Sequence, residues 1–247
     1  MQIQEVLLNS KQILNHTITM NYKLNAIALL AFSSGISQVS FNNPDEAAIV
    51  SYQTKPINIS NIKTEGSAYF NEEFKWGQVL VNGEVKSTGN LRYNAVNSEI
   101  ELQKGKEEYT AILKRNYISA RIQNELYKLY PYLDDTNNES TRIGYFIPLN
   151  EGNLKLLYKP EKKLRRGKAA ATNYDRSVPP RYIDISSYYI QKGDEPAIKI
   201  YLRKKYFYDI LGKDNIKEYV KSNNLKLNKK DDAIKVMEYY NNMLVSK

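Results

Sequence analysis

The chain contains no cysteine and a single histidine, His16. The first absence excludes a disulfide framework, thiol catalysis and thiolate metal sites. The second leaves everything beyond residue 16 without the commonest general base and the commonest transition-metal ligand. Only carboxylates, or serine with lysine, remain as catalytic groups, so the sequence points away from an enzyme and implies no cofactor. Long apolar runs are also missing. The longest near the N-terminus is 26–32, preceded by Leu24. A bilayer-spanning helix needs about 20 apolar residues, so no stable membrane span is expected.

That short run lies in "MNYKLNAIALLAFSSGISQ", residues 20–38. It has the anatomy of an export signal: Lys23 as the charge, 24–32 as the apolar core, then Ser33, Ser34 and Gly35. Gly35 and Ser37 put small residues at the positions a cut ahead of Gln38 requires. Residues 1–19 displace the charge from the start, so Met20 is expected as the initiator and 1–37 as an over-called extension plus signal peptide. The competing reading is a buried amphipathic helix of the mature fold. With no cysteine after the run, lipid anchoring there is excluded, and the expected address is the periplasm or the extracellular space.

What is abundant is tyrosine, 21 residues against 6 phenylalanines, and positive charge, +9 over 247 residues. Tyrosine suits half-buried strand faces, where the ring packs and the hydroxyl stays wet. After a polar linker at 38–46, short strands dominate 47–202. "QVLV" (78–81) and "EVKS" (84–87) flank Asn82-Gly83, a strong two-residue hairpin cue. Further strands are predicted at 90–94, 98–103, 107–115, 117–123, 125–132, 142–149, 153–159, 181–191 and 197–202. In 98–103, Ile100 and Leu102 alternate with Glu99, Glu101 and Gln103, as in a half-exposed strand. A polar loop is expected at 133–141.

Helical periodicity takes over in 203–247. The segment 203–212 ends on Gly212, a usual helix stop. In 214–224 the expected buried positions are Ile216, Tyr219 and Val220. A last helix starts from Asn228, with Ala233, Ile234, Met237, Tyr240 and Leu244 as its apolar stripe. The predicted fold is therefore mainly β: an antiparallel meander forming a curved sheet or partly closed barrel, with a small C-terminal helical cap.

Two segments, "GQVLVNGEVKSTGNLRYNAVNSEIEL" and "YVKSNNLKLNKKDDAIKVMEYYNNML", resemble a group of uncharacterised exported proteins of the Bacteroidetes. The matching positions are Leu91, Arg92, Tyr93 and Asn94, then Glu99, Ile100 and Glu101, and finally Tyr239, Tyr240 and Asn241. The resemblance implies export and the strand-then-helix order. It brings no activity and no catalytic residue.

Two groups of residues are candidates for recognition. Arg92 and Asn94 present a fork and an amide suited to a carboxylate, sugar or peptide. Equally, Arg92 can pair across the sheet with Glu99 or Glu101 while Asn94 shapes the turn. The second group is the basic stretch 155–181, nine lysines and arginines against Glu161 and Asp175 only. Within it Lys162, Lys163, Arg165, Arg166 and Lys168 are the candidate anion-binding residues. A solvated excursion between strands would carry the same composition. "GKAAAT" lacks phosphate-loop glycine spacing. The adjacent acids Glu107-Glu108 and Asp134-Asp135 do not by themselves form the facing carboxyl pair a glycosidase needs. The reading is an exported, non-enzymatic binding protein of the bacterial cell envelope whose partner is an unidentified protein or envelope component. The alternatives are an anionic-polymer binder (lipopolysaccharide, acidic glycan or nucleic acid) acting through 155–181, and a carboxylate-only hydrolase.

Overall fold

The computed structural model describes residues 64–106, 108–134, 137–170, 172 and 174–245. The segments expected as signal peptide and linker lie outside them. Strands β1 (Lys75–Val81) and β2 (Glu84–Asn94) form the hairpin predicted at Asn82-Gly83. Both turn residues have positive φ, 52° and 85°, the backbone that Asn and Gly tolerate best and that matches strand twist. From β2 the chain meanders through β3 (Glu99–Gln103) and β4 (Tyr109–Ala111) to one edge. It then returns, and β5 (Ile118–Ile122) pairs with the free side of β1. The meander continues in the opposite direction through β6 (Glu125–Asp134), β7 (Asn137–Pro148) and β8 (Leu154–Lys159). Strands β9 (Lys162–Arg165) and β10 (Arg181–Asp184) leave it as a separate two-stranded ribbon. The chain re-enters the sheet as β11 (Ser187–Lys192) and β12 (Ile198–Ile200). The result is a ten-stranded, all-antiparallel sheet with β4 and β12 at its edges, and it is not closed into a barrel.

Curvature comes from tyrosine packing. In a flat sheet β2 and β7, four spacings apart, would be separated by roughly 19 Å. Yet the Tyr93 ring lies 6.2 Å from the Tyr145 ring and 4.9 Å from the Tyr127 ring of β6. The sheet therefore bends around these rings, which sit in one core with Leu91, Ile100, Ile118 and Ile147. Neighbouring residues of β7 face opposite ways, so Phe146 joins Tyr132, Leu157, Tyr189 and Ala197 in a second aromatic cluster. There Ala197 donates to the Pro131 carbonyl (2.8 Å) and accepts from Leu133 (3.0 Å), which draws β12 against β6 at a single point.

Helices α1 (Lys204–Leu211), α2 (Lys213–Ser222) and α3 (Lys230–Val245) bury Phe207, Leu211, Ile216, Val220, Val236 and Met237 against Leu154, Leu156, Ile190 and Ile200 of the sheet. Gly212, with φ 79°, separates the first two helices. The buried face of α3 keeps Ala233 and Met237 of the predicted stripe, with Ile234 and Tyr240 packed half-buried beside it. It comprises Ala233, Val236, Met237 and the polar Asn241, whereas Leu244 is exposed. Asn241 docks the helix: its Oδ1 accepts from Leu154 N–H (3.0 Å), and its Nδ2 donates to the carbonyls of Leu154 (2.8 Å) and Glu151 (3.0 Å). The predicted strand 181–191 is two strands, because the Asp184 carboxylate accepts from the Ser186 N–H and bends the chain between them. In the segment expected as a polar loop, β7 already begins at Asn137.

Candidate functional site

Arg92 and Asn94 occupy one network on the outer side of β2. Arg92 Nε and Nη2 donate to Glu101 Oε2 (3.1 and 2.6 Å), Nη2 also to the Tyr69 hydroxyl (3.1 Å), and Nη1 to the Glu72 carbonyl (2.9 Å). The guanidinium lies 3.8 Å from the Tyr69 ring centre and 4.2 Å from that of Phe74. Burial and the Glu101 carboxylate push the Tyr69 hydroxyl well above the ordinary tyrosine range. Asn94 Oδ1 accepts from Val96 and Asn97 N–H (both 3.1 Å), and its Nδ2 donates to Glu101 (3.2 Å). Glu101, expected on the wet side of its strand, is 1% exposed because Arg92 and Tyr69 cover it. A buried carboxylate needs this degree of pairing. The fork and amide are thus spent on holding residues 69–74 to the sheet.

The basic stretch is arranged differently. Lys162 turns inward, its ammonium donating to the Ser67 and Tyr69 carbonyls and sitting 4.5 Å from the Phe70 ring centre. Lys159, 6% exposed, is also internal, bound to Glu161 (2.9 Å) and the Tyr132 hydroxyl (3.1 Å). Burial pulls its ammonium down, but Glu161 outweighs that and holds it above the ordinary lysine value. Ser187 stands directly opposite Lys159 with a buried, unbonded hydroxyl. A lysine kept charged cannot take that hydroxyl's proton, so the pair does not form a serine–lysine nucleophile. Asp134 is paired with Arg142 at 2.7 Å. Asp135 and Glu107 fall outside the described residues.

Lys163, Arg165, Arg166 and Lys168 point away from the core. In the β9–β10 ladder Arg165 is directly opposite Arg181, and Lys163 is opposite Ile183. These four residues therefore share one face of the ribbon, with Lys162 and Leu164 on the other. Beyond the strands, Lys168 and Val178 exchange both backbone hydrogen bonds at 2.8 Å. Gly167 permits that approach, since a Cβ there would meet the Val178 carbonyl oxygen at 2.7 Å. Arg165, Arg166, Lys168 and Arg181 then line one groove of about 420 Å³, floored by Val178 and Pro179 and containing no acid. Among the described residues none of the four cations has a hydrogen-bond or ion-pair partner. Tyr174, 98% exposed, caps the end of the excursion.

Like charges directly opposite on a ladder repel. Glu65 bridges Arg181 on its other side but forms no ion pair with it and does not line the groove. The Arg–Arg pair is therefore a local cost to the ribbon, and an anion placed between the two guanidinium groups removes it. Sequence reasoning misses Arg181, because no local pattern tells that it faces Arg165 across fifteen intervening residues.

Among the described residues no group of three or more histidine, cysteine, aspartate or glutamate side chains could hold a metal ion, and no helix is long and apolar enough to cross a membrane. A second groove, of about 540 Å³, has Glu151 and Glu238 in its wall beside Asn150 and Asn241. Comparison of the chain with protein-family models, curated proteins and solved structures gave no match.

Proposed function

We propose that the chain is an exported, non-enzymatic binding protein of the bacterial cell envelope, and that its ligand is an anionic polymer held by the β9–β10 ribbon. One observation carries the reading: the unpaired, directly opposed Arg165 and Arg181, joined by Arg166 and Lys168 around a groove without acids. Arginine forks suit phosphate, sulfate and carboxylate groups, and several at one groove suit a repeating charge. The anatomy of residues 20–38 and the resemblance to exported Bacteroidetes proteins support the compartment, where lipopolysaccharide and acidic glycans are the available polymers.

The test is binding of heparin, lipopolysaccharide and single-stranded DNA over a salt series. If three or four cations displace counterions, affinity falls roughly 40- to 150-fold between 50 and 200 mM salt. Replacing Arg165 and Arg166 by glutamine flattens that slope. Salt-insensitive binding, or none to any of the three polymers, overturns the proposal. The preferred polymer identifies the ligand class. A carboxylate-only hydrolase is the second reading, favoured by Glu151 and Glu238 lining one groove. It requires glycan or ester hydrolysis that disappears in Glu151→Gln and Glu238→Gln.

A further inference from the structure

The chain's only tryptophan is on its surface. Trp76 lies in β1 and is 65% exposed, although indole rings are among the side chains a fold gains most by burying. Strand parity puts it there: Gly77 and Val79 face the core, so Trp76 and Gln78 face outward. Register assembles their neighbours. Asn90 of β2 is directly opposite Trp76, and Thr88 and Arg121 flank Gln78 from β2 and β5. At the β5–β6 turn the Gln123 backbone N–H donates to the Trp76 carbonyl at 3.3 Å, which ties that end of β1 to β5. Residues directly opposite share a face, so an exposed ring is surrounded by hydroxyl, amide and guanidinium groups. The side chains of Gln78, Thr88 and Arg121 have no hydrogen-bond partner among the described residues, and Asn90 Nδ2 donates to Gln103 Oε1 at 3.2 Å.

The aromatic surface extends sideways. Phe74 lies two residues before Trp76, with its ring 6.3 Å from that of Tyr109 at the sheet edge. Both rings rest against Arg92, which lies 4.2 and 5.6 Å from their centres. The network around Glu101 thus also fixes two half-buried aromatic rings, Phe74 and Tyr109.

We infer that this face is a saccharide-binding platform, with Trp76 stacking on the apolar face of a pyranose ring and Gln78, Thr88, Asn90 and Arg121 bonding its hydroxyls. The composition decides between a sugar and a protein as occupant. A protein hot spot is a Trp, Tyr or Arg side chain fully desolvated in a well-packed pocket, whereas polar side chains of β2 and β5 surround Trp76. Here the other exposed apolar residue of the β1–β2 hairpin, Val85, lies at the far end, opposite Leu80. A sugar offers what the patch lacks, one apolar face ringed by hydroxyls. Planar amides at strand spacing meet such a rim without rearrangement. The inference does not depend on the basic ribbon. If both sites are occupied by one molecule, the ligand class is an acidic glycan.

Because Trp76 is the sole indole, its fluorescence reports this site alone. The experiment titrates the full chain with cellohexaose, chitohexaose and hexagalacturonate to millimolar concentration in 0.5 M salt, which silences the ribbon. Expected is a saturable change in emission with at least one sugar. By calorimetry the same sugar binds Trp76→Ala at least tenfold more weakly and Asn90→Ala several-fold more weakly, while Trp76→Tyr recovers part of the loss. Circular dichroism checks that Trp76→Ala is folded, as its exposure leads one to expect. Absence of any emission change with all three sugars overturns the inference. So does binding that Trp76→Ala leaves intact, or an emission shift that depends only on protein concentration, which would make the face a self-association surface. Loss of heparin binding in the ribbon variants leaves this titration unchanged, so the two proposals fail separately.

Discussion

Beside the apolar packing of Val236 and Met237, the polar part of the dock between α3 and the sheet is one amide, and its worth can be worked out. Asn241 bonds both the N–H and the carbonyl of Leu154, the first residue of β8, and the Glu151 carbonyl as well. Asn150 Nδ2 also donates to both of those carbonyls, at 2.8 and 2.9 Å, so they keep a partner if Asn241 is lost. The Leu154 N–H does not. Asn241→Leu therefore leaves one buried donor unsatisfied, about 1–3 kcal/mol, and forfeits two further bonds, for roughly 2–4 kcal/mol in all. In a protein of this size that lowers the melting temperature by about 5–15 °C. Gly152 provides the cross-check. It has φ 115°, and a Cβ there would stand 2.6 Å from Asn241 Cγ and Nδ2. Gly152→Ala is thus destabilising through backbone strain and through collision with Asn241. In an Asn241→Ala background the collision disappears, so the two substitutions together cost less than their sum. Thermal and urea denaturation of the four proteins measure the cycle, with amide exchange in α3 showing whether the helix loosens first. Strict additivity, or an Asn241→Leu protein as stable as the parent, refutes the account.

Three further perturbations test other parts of the fold. Arg181→Gln removes the repulsion with Arg165 without placing a second acid beside Glu65, adding about 0.2–1 kcal/mol of stability while weakening heparin binding. A fall in stability with binding retained contradicts the argument. Gly77→Ala would put a Cβ 2.5 Å from the Arg121 carbonyl oxygen and 2.8 Å from Leu91 Cδ1, so β1 must separate from β5. The expected loss is about 1–3 kcal/mol by urea denaturation. Alkali is the third. Burial pushes Tyr93 up to about 12 and raises Tyr127 and Tyr145 further. A raised folded value favours the folded state below the unfolded value, near 10, and that advantage is lost as pH rises through the folded value. At pH 11 each buried tyrosine has given up about 1.4 kcal/mol, together about 4 kcal/mol. Phenolate absorbance should therefore rise cooperatively with unfolding above pH 10. Independent titration of these rings, without unfolding, would refute it.

What was legible in the sequence was whatever short-range chemistry decides. Asn82-Gly83 marks its hairpin because the turn demands positive φ at both residues, and Gly212 ends a helix for a similar reason. The order of strands and then helices follows from a hydrophobic period that switches from two to 3.6. The features that resisted are those whose cause lies elsewhere in the chain. Glu101 reads as exposed because it alternates with Ile100 and Leu102, and only the return of Tyr69 and the reach of Arg92 make burial affordable. Asn241 interrupts the apolar stripe of α3, and its partner Leu154 is 87 residues away. The same limit hid the geometry of the basic stretch. Composition shows how much charge it carries, but the register of β9 on β10 decides which charges meet. Trp76 differs, because its own strand neighbours set its face: the strand predicted at 78–81 begins after it, and once β1 starts at Lys75, Trp76 shares parity with Gln78 and opposes Gly77 and Val79. Counting apolar residues classes it with the core, whereas alternation places it outside. In a strand with one wet face, an aromatic residue in phase with the polar positions is the one to examine for binding, since burial has no claim on it.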